Sequence, residues 1–280
     1  MQVEEARRLL AERLGGGPSP PSPESARAVT AQLAHPDTLG PLVRRLSAGD
    51  LDLAECTRLS YRHVLGFDKL LLLAGAPRFM LRVHFWHGGP GPVPEDIHNH
   101  RCAIASAVVR GRVRMECYEP AADGVPATAY RETIDGPGGA WRLRRVGDAR
   151  LRLVCTEQYG AGRSYGLAAC TLHRVVSEEP TVTLFLETAP QRSVTDVYVR
   201  NSNRVRGSGA GRSGPAADGG PVTDSGSATD SGSATDSGDD RIGGALRTGG
   251  AERVDPPPKT PLPPAVYLAE LGSLAGSLGY

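Results

Sequence analysis

The sequence predicts an all-β domain, either a sandwich or a small barrel, at residues 64–200, with helices before it and a polar tail after it. From Phe67 onward, short apolar runs are separated by turn residues at close intervals. No segment with helical spacing interrupts these runs before about Asn201, where apolar content almost disappears. Many short strands with turn signals and no intervening helix are typical of all-β folds.

Composition narrows the possible classes of partner. The 280 residues carry a formal net charge of +1, which argues against nucleic acid or an anionic membrane as partner. No apolar run reaches the length of about 18 residues that a transmembrane helix needs. The charged, amphipathic N-terminus is unlike a secretory signal, so we expect a cytoplasmic protein with a small-molecule substrate, and a homo-oligomer is an open alternative.

The cysteines agree with a reducing compartment. They are five in number and show no CxxC spacing. An odd count without paired spacing predicts ordinary buried thiols rather than a disulfide framework or a zinc knuckle.

Residues 1–63 are predicted to be a helical N-terminal extension. Val3, Ala6, Leu10 and Leu14 follow helical spacing, and the Gly/Pro-rich stretch after them ends the helix. Three short helices are predicted next, at residues 25–34, 38–46 and 51–61, the last with Asp50 as its N-cap. A loosely attached tail over residues 1–23 is the alternative.

The β-domain begins with runs at residues 67–73 and 78–87. In the second run Leu81, Val83 and Phe85 alternate with Arg82 and His84, a period of two that predicts a strand. Further strands are predicted at residues 103–109, 112–119, 128–134, 151–158, 163–170, 181–188 and 195–199.

The C-terminal part divides into a linker and a helix. Residues 201–264 are rich in Gly, Ser, Asp and Pro and repeat TDSGSA, so we expect a disordered linker that cannot bury enough surface to fold. Residues 265–280 have helical spacing and predict a short helix, which either docks on the core or frays.

Two histidines in the stretch EDIHNHRCAIASAVVRG are the leading candidates for chemistry. Side chains at positions i and i+2 of a strand share a face, so His98 and His100 can reach one point. Neutral imidazole is the commonest metal-ligand side chain, and His173, on a later strand, is the best third ligand. The alternative is a polar turn that leads into a strand.

These residues carry a resemblance to the cupin superfamily over about residues 67–200. Its first motif has HxH, then a Glu four residues on and a Gly seven further on; His98, His100 and Gly111 match, while Ile104 takes the Glu position. In the second motif Gly162 and His173 match. The remaining positions of that motif hold Ala168, Cys170 and Ser177.

Without the Glu, the pattern is similar to the three-histidine thiol dioxygenases, the cysteine dioxygenase branch of cupins. That resemblance implies a jelly-roll or small-barrel fold, Fe(II) held by three histidines, and a thiol substrate that binds beside O₂. The branch's Cys–Tyr cross-link and accompanying His are replaced by Ala105, Pro190 and Thr188, so the resemblance does not carry the cross-link or its proton relay over to this chain.

Three neutral imidazoles leave a metal dication uncompensated, so the site favours an anionic ligand such as a thiolate or carboxylate. Fe(II) suits a site with open positions for substrate and O₂, although such sites also take Zn, Ni, Cu or Mn. We therefore expect a mononuclear metal enzyme, with a non-catalytic ligand-binding cupin as the alternative. A metal-free epimerase would need a His–Asp pair, for which Asp96 is the nearest acid.

Three residues are predicted to bind the substrate. Arg82 and His84 share a strand face, and Arg82 could hold a carboxylate in a bidentate ion pair. Tyr165 could supply a phenol. The alternative is that Arg82 and His84 face solvent while their neighbours form the core. Arg174 follows a proposed ligand, so strand alternation turns it away from the metal.

Overall fold

A computed structural model describes residues 1–15, 20–49, 53–63, 66–88, 95–134, 141–200, 253–254 and 260–280. Most of the predicted linker and the predicted N-cap Asp50 lie outside these ranges. None of the described helices is long and apolar enough to cross a membrane.

The described residues form five helices and thirteen strands. The helices are α1 (Val3–Gly15), α2 (Pro23–Ala34), α3 (Pro36–Ser47), α4 (Leu53–Arg58) and α5 (Pro264–Ser277). The strands are β1 (Tyr61–Arg62), β2 (Phe67–Gly75), β3 (Phe79–Trp86), β4 (Ile97–His98), β5 (Ile104–Arg110), β6 (Arg112–Ile134), β7 (Trp141–Gly160), β8 (Ser164–Leu167), β9 (Leu172–Ser177), β10 (Thr181–Glu187), β11 (Thr195–Arg200), β12 (Arg253–Val254) and β13 (Thr260–Pro261).

The strands make two antiparallel sheets. The first has the order β13-β1-β2-β3-β10-β5-β8, and the second has the order β11-β4-β9-β6-β7-β12, with β11 also pairing with β6. The predicted all-β class with an N-terminal helical extension is therefore confirmed.

One hydrophobic core lies between the helices and the outer face of the first sheet. Leu81 and Val83 of β3 pack there with Leu10, Leu33 and other helical residues, all fully buried. Because Leu10 of α1 belongs to this core, the alternative of a loosely attached tail over residues 1–23 is wrong for residues 3–15.

A second cluster lies between the two sheets. It contains Phe67, Trp86, Val113 and Tyr165. Strand β3 is buried on both faces, because helices cover one face and the second sheet covers the other. Its even-numbered residues His84 and Trp86 therefore point between the sheets, so the alternative in which His84 faces solvent is wrong.

The hairpin of β6 and β7 is longer than predicted. The sequence predicts separate strands at residues 112–119 and 128–134, but the structure has a single strand. Pro120 and Val125 both pair with Leu151, so the residues between them bulge out and the ladder resumes in register.

The C-terminal helix docks rather than frays. Tyr267, Leu271 and Leu274 of α5 are buried in the helical core, and the Tyr267 hydroxyl donates a hydrogen bond of 2.6 Å to the Leu71 carbonyl.

The cysteines correct one expectation. All five are free, as predicted, but only Cys56 and Cys102 are buried, while Cys117 and Cys155 are half-buried and Cys170 is exposed. The last three lie on the β6–β7 hairpin and in the turn before β9, where less of the protein packs over their side chains.

Candidate metal centre

A few backbone hydrogen bonds hold the segment that contains His98 and His100. Strand β4 has two residues, and its His98 pairs directly with His173 of β9. His100 lies beyond the strand, where its amide donates to the Ala169 carbonyl at 3.1 Å. The two histidines thus share a face as predicted, but an irregular segment held by this hydrogen bond, rather than a continuous strand, positions His100.

The three imidazoles converge. Ring centroids are 4.8 Å apart for His98 and His173, 4.9 Å for His98 and His100, and 5.1 Å for His100 and His173. One ring nitrogen from each lies within 4.8 Å of the others. That spacing lets a single ion contact all three rings after small side-chain adjustments, because metal–nitrogen bonds are about 2.0–2.1 Å long.

Hydrogen bonds select the tautomer of two of the rings. Nδ1 of His98 lies 2.8 Å from the Asp96 carbonyl, and Nδ1 of His173 lies 3.1 Å from the Thr171 carbonyl. A carbonyl only accepts, so each Nδ1 carries the proton and each Nε2 keeps its lone pair. Backbone carbonyls commonly orient metal-binding histidines in this way.

Electrostatics keeps two of the rings neutral. Burial, with a smaller contribution from His98, lowers the pKa of His173 to about 3. Burial, followed by the neighbouring His98 and His173, holds the pKa of His100 well below its usual range. Neutral imidazole is the form that binds metals.

The triad opens into a small cavity between the sheets. Its free volume is about 30 Å³, room for two or three water-sized groups. The side chains that line it are Lys69, His84, Trp86, Glu95, His98, His100, Ser106, Val113, Tyr165, His173, Val175, Thr183 and Phe185.

Two predicted substrate-binding residues line this cavity. His84 stacks on Phe185 with ring centroids 4.6 Å apart, and burial, followed by the nearby cations Lys69 and Arg82, holds its pKa well below the usual range. Tyr165 is buried, and burial raises the pKa of its phenol. Both are therefore neutral hydrogen-bonding groups.

Arg82 is not among the residues that line the cavity, which corrects the expectation that it anchors a carboxylate. Its guanidinium donates to the Leu59 carbonyl at 2.7 Å and lies 3.7 Å from Glu187. Although it shares a face with His84, it is already paired with groups of the protein.

Sequence reasoning missed Lys69 and Glu95. Lys69 lies in an apolar run that gave no motif, and Glu95 precedes the histidine pair where no ligand spacing applies. An oxygen of Glu95 accepts a hydrogen bond of 3.2 Å from the Val175 amide, which places a carboxylate at the cavity wall.

Arg174 is turned away from the triad, as predicted. It donates to Glu116 at 2.6 Å, and the carboxylate is 4% exposed. Burial alone would raise the pKa of Glu116, but hydrogen bonds from Arg174 and Tyr118 outweigh it and lower the pKa below its usual value. This pair braces β6 against β9, the strand that carries His173.

A second group of possible ligands is an ion-pair cluster. Asp68, His87 and Glu270 also lie within reach of one another. Asp68 already accepts two hydrogen bonds from Arg62, of 2.8 and 2.9 Å, and a contact of 2.8 Å from His87. Its oxygens are satisfied by these partners, so the cluster is interpreted as structural.

Comparisons with known proteins give a weak likeness of fold. No protein-family model and no curated protein matches the sequence. Among solved structures, an RmlC-like cupin from Shewanella frigidimarina has a TM-score of 0.30 and 14% identity and covers 47% of this chain and 84% of its own. A cupin superfamily protein from Desulfitobacterium hafniense has a TM-score of 0.27 and 7% identity, covering 44% and 76%.

A hydroquinone 1,2-dioxygenase, solved with Cd²⁺ and 4-hydroxybenzonitrile, has a TM-score of 0.28 and 16% identity and covers 50% of this chain and 72% of its own. At these scores the likenesses assign neither a family nor an activity.

Proposed function

We propose that residues 64–200 form a cupin-type metal enzyme domain, between a helical extension at residues 1–63 and a linker at residues 201–264 that leads to the C-terminal helix. His98, His100 and His173 hold one divalent transition metal, and Fe(II) is the proposed ion. The single observation that supports this most is the meeting of three imidazoles, two from strands and one from the irregular segment after β4, with ring nitrogens within 4.8 Å.

The donor set fits such an ion. At least two of the rings present Nε2 with a free lone pair, and three protein ligands leave coordination positions open toward the cavity. Fe(II), when bound, would supply the electron chemistry that O₂ requires. We therefore propose a dioxygenase that acts on a small anionic substrate, a thiol or a carboxylate.

The chain's own residues would bind the substrate and control its protons. His84 and Tyr165 are neutral and buried, so they can hold a substrate by hydrogen bonds without carrying charge into the cavity. Glu95, fixed by the Val175 amide, can accept a proton at the cavity wall. His84 and Tyr165 are only 5% and 6% exposed, so they have little contact with bulk water.

Metal analysis tests the ligand set. We expect one transition metal ion per chain in the purified protein, and a loss of affinity greater than about 100-fold in His173→Ala, since even outer partners of metal ligands contribute about 10–100-fold. His35→Ala, at an exposed position between α2 and α3, is the matched control and should retain its metal. If His173→Ala kept its metal at wild-type stoichiometry, the proposed ligand set would be wrong.

Oxygen uptake separates the enzyme from a binding protein. The Fe(II)-loaded protein is screened with small thiols and carboxylic acids under air, and we expect consumption of O₂ together with an oxygenated product. The alternative, a non-catalytic ligand-binding cupin, is favoured by the incomplete cupin motifs, in which Ile104 takes the Glu position. It predicts thermal stabilisation by a ligand without O₂ consumption.

A further inference from the structure

Three buried polar atoms of residues that line the cavity have no protein partner. Nε2 of His84, Nε1 of Trp86 and Oγ of Ser106 make no hydrogen bond within the described residues, and the three residues are only 5%, 8% and 1% exposed. Indole Nε1–H can only donate. Because an unmade hydrogen bond is costly inside a protein, three such atoms in one cavity indicate that a bound group, a ligand or an ordered water that a ligand can displace, completes them.

Lys69 adds a cation to the same wall. It lies on β2 directly opposite His84 of β3 and lines the cavity. Its ammonium lies 5.1 Å from the centre of the Phe67 ring and, within the described part of the chain, makes no ion pair. The ammonium therefore remains available to an anion that enters the cavity.

The identity of this cation is informative. Of the 32 basic residues in the sequence, only Lys69 and Lys259 are lysines, and the other 30 are arginines. Arginine presents a wide planar fork, whereas lysine presents a compact point charge. A lysine at this position therefore presents one compact charge to a ligand in the cavity.

We propose that Lys69 and Trp86 form a carboxylate-binding subsite opposite the histidine triad. The ammonium and the indole N–H hold the substrate carboxylate, and Nε2 of His84 is the adjacent third contact. With a metal dication at the triad, Lys69 and the metal outweigh the single negative charge of Glu95, so the cavity attracts an anion.

This inference rests on the proposed function, because the end of the substrate opposite the carboxylate is expected to bind the metal held by the triad. Because Lys69, His84 and the histidine triad line the same cavity, only a few bonds can separate the two groups. The substrate class is therefore a short bifunctional acid, a carboxylate with a metal-binding thiolate, hydroxyl or carbonyl oxygen a few bonds away.

The test compares two probes of equal length with opposite charge. Binding of 3-mercaptopropionate and of cysteamine to the Fe(II)-loaded protein is measured by calorimetry without O₂. We expect the acid to bind about tenfold more tightly or better, since one charge-assisted hydrogen bond is worth about that factor. Lys69→Met should weaken the acid by about tenfold, should not weaken the amine, whose ammonium it no longer repels, and should leave the metal content unchanged.

Two further variants keep the test decisive. Trp86→Phe removes the donor and keeps the ring, so it should weaken the acid and not the amine. Arg44→Met, which removes an exposed cation from α3, should change neither probe. Equal binding of acid and amine by the wild type, or an unchanged acid affinity in Lys69→Met with wild-type thermal stability, would overturn the subsite.

A metal-free arm separates this inference from the proposed function. Propionate should raise the melting temperature of the metal-free wild type more than chloride does at equal ionic strength, and this difference should vanish in Lys69→Met. If the protein bound no metal and this difference remained, the metal proposal would fail and the subsite would stand. If metal bound and the difference was absent, the subsite alone would fail.

Discussion

Asn99, the residue between His98 and His100, points away from the metal side and anchors the histidine stretch. Its amide nitrogen donates to Asp196 at 2.9 Å, and its amide oxygen accepts from the Asp196 backbone at 2.8 Å. Strand β4 is only two residues long, so its ladder alone cannot hold His100. The reciprocal pair with Asp196 supplies the missing constraint.

Replacing Asn99 by Ala should therefore disturb the site without touching a ligand. We expect metal affinity to fall by about tenfold or more, because groups that orient ligands contribute about 10–100-fold. The unfolding free energy should fall by about 2 kcal/mol, because two partly buried hydrogen bonds are lost. Metal titration and denaturant unfolding measure the two effects, and an unchanged metal affinity would show that Asn99 has no orienting role.

Some residues of the site could be predicted from the sequence and others could not. His98 and His100 were predicted to converge because strand periodicity determines which side chains share a face. His173 did not follow from this rule; it was chosen because it lies on a later strand that a barrel can bring beside the pair and because it matches the second cupin motif. Lys69 was missed because its role depends on which strand lies opposite, and pairing of β2 with β3 is not encoded in local spacing.

At the scale of elements, the turn between β5 and β6 requires glycine for two separate reasons. Gly111 has φ +77°, a left-handed conformation that side chains disfavour. A Cβ there would also lie 2.6 Å from the Pro180 carbonyl oxygen and 2.5 Å from the Thr181 hydroxyl. The Thr181 hydroxyl in turn donates to the Arg112 carbonyl at 3.0 Å, so the turn is tied to β10.

Gly111→Ala should be much more damaging than the same change at Gly66. Gly66 has φ +83°, but a Cβ there would meet nothing within 4 Å. We expect Gly66→Ala to lower the unfolding free energy by about 1 kcal/mol from backbone strain alone. Gly111→Ala should lower it by about 3 kcal/mol or more, because steric overlap with β10 adds to the strain. Denaturant unfolding of both variants checks this; equal losses would mean that the close approach to β10 has no energetic effect.

Helices and strands were predicted well where local sequence periodicity determines them, and poorly where packing between strands determines where they begin and end. The helices at the N-terminus and the strand β3 follow from periodicity, and the structure has them. The hairpin β6–β7 was predicted as separate strands because Pro120 and Gly124 are typical of turns. In the structure a bulge absorbs them, since both strands continue to gain cross-strand pairs beyond it.

At the scale of the whole molecule, Asp68 links parts of the chain that are distant in sequence. It lies on β2 and is fully buried, with Arg62 of β1 and His87 after β3 as partners and Glu270 of α5 beside them. Strand β1 also pairs with β13, just before α5. The cluster therefore lies where the start of the β-domain meets the C-terminal helix.

Acid should weaken this connection in a defined pH range. Burial alone would raise the pKa of Asp68, but hydrogen bonds from Arg62 and His87 outweigh it, so its folded pKa lies below the ordinary value near 3.9. An acid with a lowered folded pKa stabilises the fold above its unfolded pKa, and this stability is lost as pH falls through the folded pKa. Asp68→Asn removes that contribution at every pH.

We therefore expect Asp68→Asn to lower the unfolding free energy by about 2 kcal/mol between about pH 5 and 7, because charge-assisted hydrogen bonds are lost. The gap between variant and wild type should shrink below about pH 4, as the wild-type carboxylate takes up a proton. Asp148→Asn, whose exposed side chain pairs with Arg145 at 2.5 Å, is the matched control and should cost well under about 1 kcal/mol. Denaturant unfolding across this pH range measures both, and a gap that stayed constant into acid would show that the Asp68 ion pairs do not stabilise the fold.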